Sequence, residues 1–189
     1  FRTKFVYSPW GVDLEFWRSS ESGIDQGQYI LFVGNDMNRD FVQLVEIAKQ
    51  RPTVNFVFVT TRLKSKDCSD NVRLYQGNMK NQYVTDVELR DLYLGVALVI
   101  LPLQESLQPS GQSVSLQAMA CGRPVAITNT SGLWDPLLMR NGDTCILVRQ
   151  GISQFLDTID QLADKKKMFT DIGHNARQMV VDHHDGEIY

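Results

Sequence analysis

Two short stretches carry residues able to do chemistry: "GNDMNRD" over 34–40 and "ESLQPSGQSVSLQAMACGRP" over 105–124. In the first, Gly34 is followed by Asn35, and Arg39 stands just before an apolar-periodic run. A guanidinium there can grip a phosphate with a planar, two-toothed fork, at a helix end that already carries partial positive charge. Surface pairing of Arg39 with Asp36 or Asp40 is the competing reading. In the second stretch, Gly111 allows close approach and unusual dihedrals at a helix start, while Ser110, Gln112 and Ser113 add neutral donors. Acids ordinarily complement the dipole at such a start; none stands here, so the end stays available to an external anion. A plain serine-capped core helix is the alternative.

Other chemistries find no support. No GxGxxG fingerprint follows a strand and no GxxxxGK[ST] loop occurs, which disfavours hydride transfer and P-loop hydrolysis. Cys68, Cys121 and Cys145 form no CxxC pair and are odd in number, so buried free thiols are expected and neither a zinc site nor a disulfide framework. A formal charge of −3 on 189 residues gives no hint of a nucleic-acid partner. No apolar run reaches the roughly 18 residues that span a bilayer, and no leader pattern is present, so a cytoplasmic protein is expected. The chain begins at Phe1 and ends mid-pattern at "DGEIY", which suggests a piece of a longer polypeptide.

The elements that must position the two loops can be read from periodicity. "YILFVG", "VNFVFVTT", "NVRLYQG", "ALVILPL", "PVAIT" and "TCILV" read as six strands. Helices are expected over 41–50, stopped by Pro52; within "TDVELRDLYLGV" (85–96), with Thr85 or Asp86 as N-cap and Val87, Leu89, Leu92 and Tyr93 as apolar face; over 112–121; and over roughly 152–163 and 165–183. Strands apolar on both faces and alternating with helices predict an α/β fold, a doubly wound, Rossmann-like parallel sheet of about six strands with helices on both faces. Ligands of such sheets sit beyond the carboxyl ends of the strands, which selects the loops 34–39 and 103–113. Trp10, Phe16 and Trp17 read as packing anchors, Lys165 to Lys167 as a solvated helix start, and His174, His183 and His184 as exposed or interdomain residues of the last helix. Trp134 reads as packing, with sugar stacking as the alternative.

At "LQAMACGRPVAIT" the chain resembles the "LEAMACGxPVVAT" segment of the retaining GT-B fold glycosyltransferases grouped as family 4 (group 1). Four further stretches fall in the same order. "YSPWGVDLEFW" is similar to the family's "xxNGVDxxxF", "ILFVGN" to "ilfvGRlxxxKG", "NVRLYQGNM" to "nVxFxGxv", and "ELRDLYLGVALVILPLQES" to "ELxxLYxxADvfvlPSxxE". The resemblance implies the C-terminal half of a GT-B enzyme: an interdomain segment over 1–28 and a nucleotide-sugar donor domain over 29–189, with the N-terminal acceptor domain outside this chain. It implies a donor diphosphate held at Gly34, Asn35 and Arg39 and by the amides of Gly111, Gln112, Ser113 and Val114, with Gln108, Ser110 and Gln112 able to contact the sugar through neutral bonds. Arg39 would also stabilise the leaving group. Gly77, Asn78 and Met79 match the loop that meets the base, and Tyr93 lies beside it. The family's two acids, spaced E-x7-E, fall on Pro109 and Gln117, so Gln117 becomes a neutral ribose contact and the sugar hydroxyls lose their acid. Glu105 is read as a loop residue unless an insertion brings it into that place.

The activity implied by the resemblance is glycosyl transfer with retention, to a sugar or glycolipid acceptor held by the N-terminal domain, with no metal or other cofactor. Peripheral membrane association of the full-length protein is compatible with it. The alternative is a non-catalytic, degenerate domain of this fold acting as a sensor or assembly module. An epimerase or phosphorylase fits less well, since the histidines lie far from the loops.

Overall fold

The computed structural model describes residues 10–18, 27–76 and 84–186. Strands β1 (Tyr29–Val33), β2 (Phe56–Val59), β3 (Val72–Tyr75), β4 (Val96–Leu101), β5 (Val125–Thr128) and β6 (Ile146–Val148) form one sheet in the order β3-β2-β1-β4-β5-β6. Every pairing is parallel. The order reverses between β1 and β4, where Leu31 is paired with Val99. This is the switch point beyond which such sheets bind ligands. Helices α1 (Phe41–Gln50), α2 (Asp86–Leu94), α3 (Gln112–Ala120), α4 (Ser153–Asp160) and α5 (Lys166–His183) complete the domain.

Alternation along the central strands makes the two cores. Ile30 and Phe32 of β1 and Leu98 and Ile100 of β4 join Leu44 and Ile47 of α1 and Phe155 and Ile159 of α4. Leu31, Val99 and Leu101 face the other way, onto Leu116 and Ala120 of α3 and Ala176 and Met179 of α5. Because burying one such side chain is worth roughly 1.5–3 kcal/mol, the sheet must be covered on both faces, and the helices divide accordingly. Cys121 and Cys145 are free, buried thiols, both pushed up to about 12 by desolvation; Cys68 is free and half-buried.

Several local expectations change. α3 ends at Ala120, and α4 occupies only 153–160, with turns to 164. β6 starts at Ile146 because the Thr144 hydroxyl is tied back to the preceding loop, donating to the Leu138 carbonyl at 2.5 Å and accepting from Arg140 N at 2.8 Å. Val87 is exposed on α2, whose buried face is carried by Tyr93 with Leu89 and Leu92. Thr85 is the N-cap.

Of the aromatic anchors, Trp17 is buried edge-on against Phe16 and Tyr93, but Trp10 is more than half exposed. His184 is the larger correction. It follows α5 and is buried, its Nδ1 2.9 Å from the Trp10 carbonyl and its ring against Trp134. Val12 bonds through its N–H to the His184 carbonyl at 2.8 Å and accepts from Gly186 N at 3.0 Å. The first described residues thus close onto the last, and this contact between the two ends is what buries the imidazole. No helix among the described residues is long and apolar enough to cross a membrane.

Candidate functional site

Arg39 is placed by stitching two loops together. Asp40 caps α1 by accepting from Gln43 N at 2.9 Å, and Asp40 N donates to the Pro102 carbonyl at 2.9 Å. Gln104 N donates to the Asn38 carbonyl at 2.8 Å, so the loops after β1 and β4 run side by side. Between them Arg39 is only 4% exposed, stacked 5.9 Å from the centre of the Phe32 ring. Surface pairing is therefore only half right: Nε lies 2.8 Å from Asp36 Oδ2, ion-paired though not aligned for a hydrogen bond, while the guanidinium itself is internal. Nη1 is buried and has no partner. Burial draws the guanidinium below its ordinary value and Asp36 offsets part of that. It stays charged, because an arginine does not give up its proton in a protein.

Two glycines make room for this cation. A Cβ on Gly34 would stand 2.5 Å from Arg39 Nε, and one on Gly111 would stand 3.1 Å from Arg39 Nη1. Gly111 also has φ +81°, the left-handed conformation that other residues adopt only with strain. It is the N-cap of α3. No side chain caps this helix among the described residues, and its first turn holds no acid. The amides of Gln112, Ser113 and Val114, like the first amides of any helix, lack an intrahelical acceptor. The serine-capped alternative fails because each serine near the start is engaged elsewhere or exposed. The Ser110 hydroxyl donates to Asp36 Oδ1 at 2.8 Å, Ser115 donates to the Gly111 carbonyl at 2.7 Å, and Ser113 lies exposed.

One turn along α3, half-buried Gln117 accepts at Oε1 from the hydroxyl of the fully buried Tyr93, at 3.3 Å. Burial raises the Tyr93 phenol far above its ordinary value, so it acts only as a neutral donor. Asn35 turns toward the end of β2. Its Oδ1 accepts from Thr61 N at 2.7 Å and from the hydroxyls of Thr60 and Thr61 at 3.0 Å, partners that no sequence signal announced. Gly77, Asn78 and Met79 lie outside the described residues. Pro109 is exposed, and Glu105 bonds Ser131 N at 2.8 Å, a contact that holds its carboxyl below the usual range and ties the loop after β4 to the loop after β5. Trp134 packs against the core and His184.

The structure thus brings Gly34, Arg39, Ser110 and Gly111 together with the start of α3, and Tyr93 with Gln117. A cavity of about 390 Å³ opens at the amino ends of the strands, lined by Tyr29, Asn55, Val96, Pro124, Ile159 and Phe169 among others, and it contains none of these residues. The buried charge with an unpartnered nitrogen, beside an open helix start, makes the carboxyl edge the candidate site instead.

An α/β domain with this sheet order is a Rossmann-like domain of the kind that makes up GT-B glycosyltransferases. The chain belongs to the family described as glycosyl transferases group 1, whose profile matches residues 27–165. Comparison with curated protein sequences gave no match. Among solved structures, the C-terminal domain of a glycosyl transferase group 1 family protein (LpcC) from Francisella tularensis is similar over 93% of this chain and 100% of its own, with TM-score 0.69 and 19% identity. Sucrose-phosphate synthase from Thermosynechococcus elongatus is similar over 95% of this chain and 48% of its own, with TM-score 0.75 and 20% identity. Anabaena Alr3699/HepE, in complex with UDP and glucose, is similar over 93% of this chain and 51% of its own, with TM-score 0.71 and 18% identity. The chain spans about half the length of the last two.

Proposed function

We propose that this chain is the donor-binding half of a glycosyltransferase, and that it holds the diphosphate of a nucleotide-sugar between Arg39 and the amides of Gly111 to Val114. One observation carries the reading: a buried guanidinium with an unpartnered Nη1 faces a helix start that no side chain closes. A cation beside the positive end of a helix is unfavourable until an anion stands between them. The family and the UDP complex of HepE support a nucleoside diphosphate as that anion.

In the transfer step the diphosphate leaves the anomeric carbon with growing negative charge. Arg39 and the α3 amides stabilise that charge, at about 3 kcal/mol for each well-placed donor. Gln117, with Oε1 occupied by Tyr93, offers its Nε2 to a ribose oxygen. Transfer proceeds with retention, to a sugar or glycolipid acceptor bound by a separate N-terminal domain, at the cytoplasmic side, and the reading calls for no metal. Isothermal calorimetry of the 189-residue chain with UDP, GDP, ADP and their glucose conjugates tests it. Binding of at least one, strongly weakened in Arg39→Met, is the expected result; no heat and no thermal shift with any of them sinks it.

A second reading, a non-catalytic domain of this fold serving as a sensor or assembly module, draws on Asp36 seated on Arg39 and on the neutral residues at 109 and 117. Sugar transfer by the full-length protein, measured with the nucleotide-sugar that binds, separates the two.

A further inference from the structure

The loop that supplies Arg39 also supplies an acid. Asp36 reaches across to the loop before α3: Oδ2 lies 2.8 Å from Arg39 Nε, and Oδ1 accepts from Ser110 Oγ at 2.8 Å and from Asn38 N at 3.1 Å. Its carboxylate therefore joins two loops 74 residues apart through the Ser110 hydroxyl, while holding the Arg39 cation of its own loop beside the open start of α3. A carboxylate and a phosphate oxygen ask for the same donors, charge and geometry. At 45% exposure the Asp36 side chain has solvent to turn into, whereas Arg39 at 4% is fixed between Gly34 and Gly111.

We infer that Asp36 is a built-in competitor: in the empty protein its carboxylate holds the phosphate position on Arg39 and Ser110, and an incoming diphosphate must displace it. The inference rests on the diphosphate reading of the site and adds its regulation. With Asp36 seated, the two loops are latched and the cradle is partly neutralised, so weakly charged ligands gain nothing from Arg39. A diphosphate, carrying more charge than one carboxylate and reaching the α3 amides as well, exchanges for it. The latch sets a threshold of anionic charge for occupancy.

Asp36→Asn tests this. The amide keeps an acceptor for Asn38 N and Ser110 Oγ but loses the charge that opposes a phosphate. UDP, GDP, ADP and inorganic pyrophosphate are titrated into the wild-type chain, Asp36→Asn and Asp36→Ala, with thermal melts of each in the empty state. Removing a like charge from beside the incoming anion is expected to tighten the binding partner about tenfold, and the empty variants are expected to melt no higher than wild type because the latch is gone. Tighter binding without added stability is a pairing that a merely structural acid would not give. If the variants bind the same ligand equally or more weakly than wild type, Asp36 orients Arg39 or stands by, and the inference falls while the diphosphate reading survives. If no protein binds any of the four ligands, the diphosphate reading fails and takes the inference with it.

Discussion

Two arginines are buried among the described residues, and they sit at opposite kinds of helix end. Arg123 lies just past α3 and donates its guanidinium to the carbonyl of Leu94, at the C-terminal end of α2 where a cation complements both the dipole and an orphan carbonyl, and to that of Val96 at the start of β4. Arg39 lies beside the N-terminal end of α3, where a cation is unwelcome, and Nη1 has no partner. The first arrangement explains itself as structure. The second is completed only in part, by Asp36 at 2.8 Å from Nε. On the proposed reading, buried cations of the same type separate a residue that stabilises the fold from one that the fold tolerates for the sake of a ligand.

The largest effect expected from this contrast is on binding. Arg39→Met should weaken the nucleoside diphosphate roughly a hundredfold, since charged hydrogen bonds contribute about 1.5–3 kcal/mol. The melting temperature should hold or rise, because an incompletely partnered buried charge is replaced by an apolar side chain of similar length. Arg123→Met should do the reverse. It leaves buried carbonyls without donors, costing about 2 kcal/mol in urea denaturation, with affinity unchanged. If both substitutions lower stability alike and leave binding alone, the distinction between the two arginines is lost.

Gly111→Ala comes next. It forces a side chain into a left-handed conformation, which costs about 1–2 kcal/mol, and sets a methyl group 3.1 Å from Arg39 Nη1 and 3.3 Å from Leu101 Cδ1. Both stability and diphosphate affinity should fall together, read by denaturation and calorimetry on the same preparation. A loss confined to stability would mean that the start of α3 takes no part in binding.

How far the sequence foretold this division depends on which contacts are local. Strands such as "ALVILPL" are apolar on both faces, so a parallel sheet between helices could be read directly, and the switch-point rule then selected the loops at 34–39 and 103–113. The absence of acids at the start of α3 was legible for the same reason, being a property of one stretch. The burial of Arg39 was not, because it arises where two loops distant in sequence lie side by side through Asp40 with Pro102 and Gln104 with Asn38. Asn35 meeting Thr60 and Thr61 is likewise tertiary. The burial of His184 within the domain, where an exposed or interdomain place is expected, was not legible because it is enclosed by Trp10 and Trp134, residues from separate parts of the chain.

The smallest effect separates the two helix starts themselves. α3 begins open, whereas α2 begins with a complete capping box: the Thr85 hydroxyl accepts from Glu88 N at 3.2 Å, and Glu88 accepts from Thr85 N at 2.8 Å. Bonds from Thr85, backbone first and hydroxyl second, hold the Glu88 carboxyl below its ordinary 4.5. An acid whose folded-state value is depressed adds stability that is fully present above the unfolded value and disappears as the pH falls through the folded one. The stability Glu88 contributes should therefore be intact above about pH 4.5 and fade below it. Gln keeps the acceptor of the box but does not titrate. Urea midpoints of wild type and Glu88→Gln should differ slightly at neutral pH, in favour of wild type, and converge in acid as the carboxylate gains its proton. A difference that stays constant across that range would show that the charge at the start of α2 is idle, and that α3 is not distinctive for lacking one.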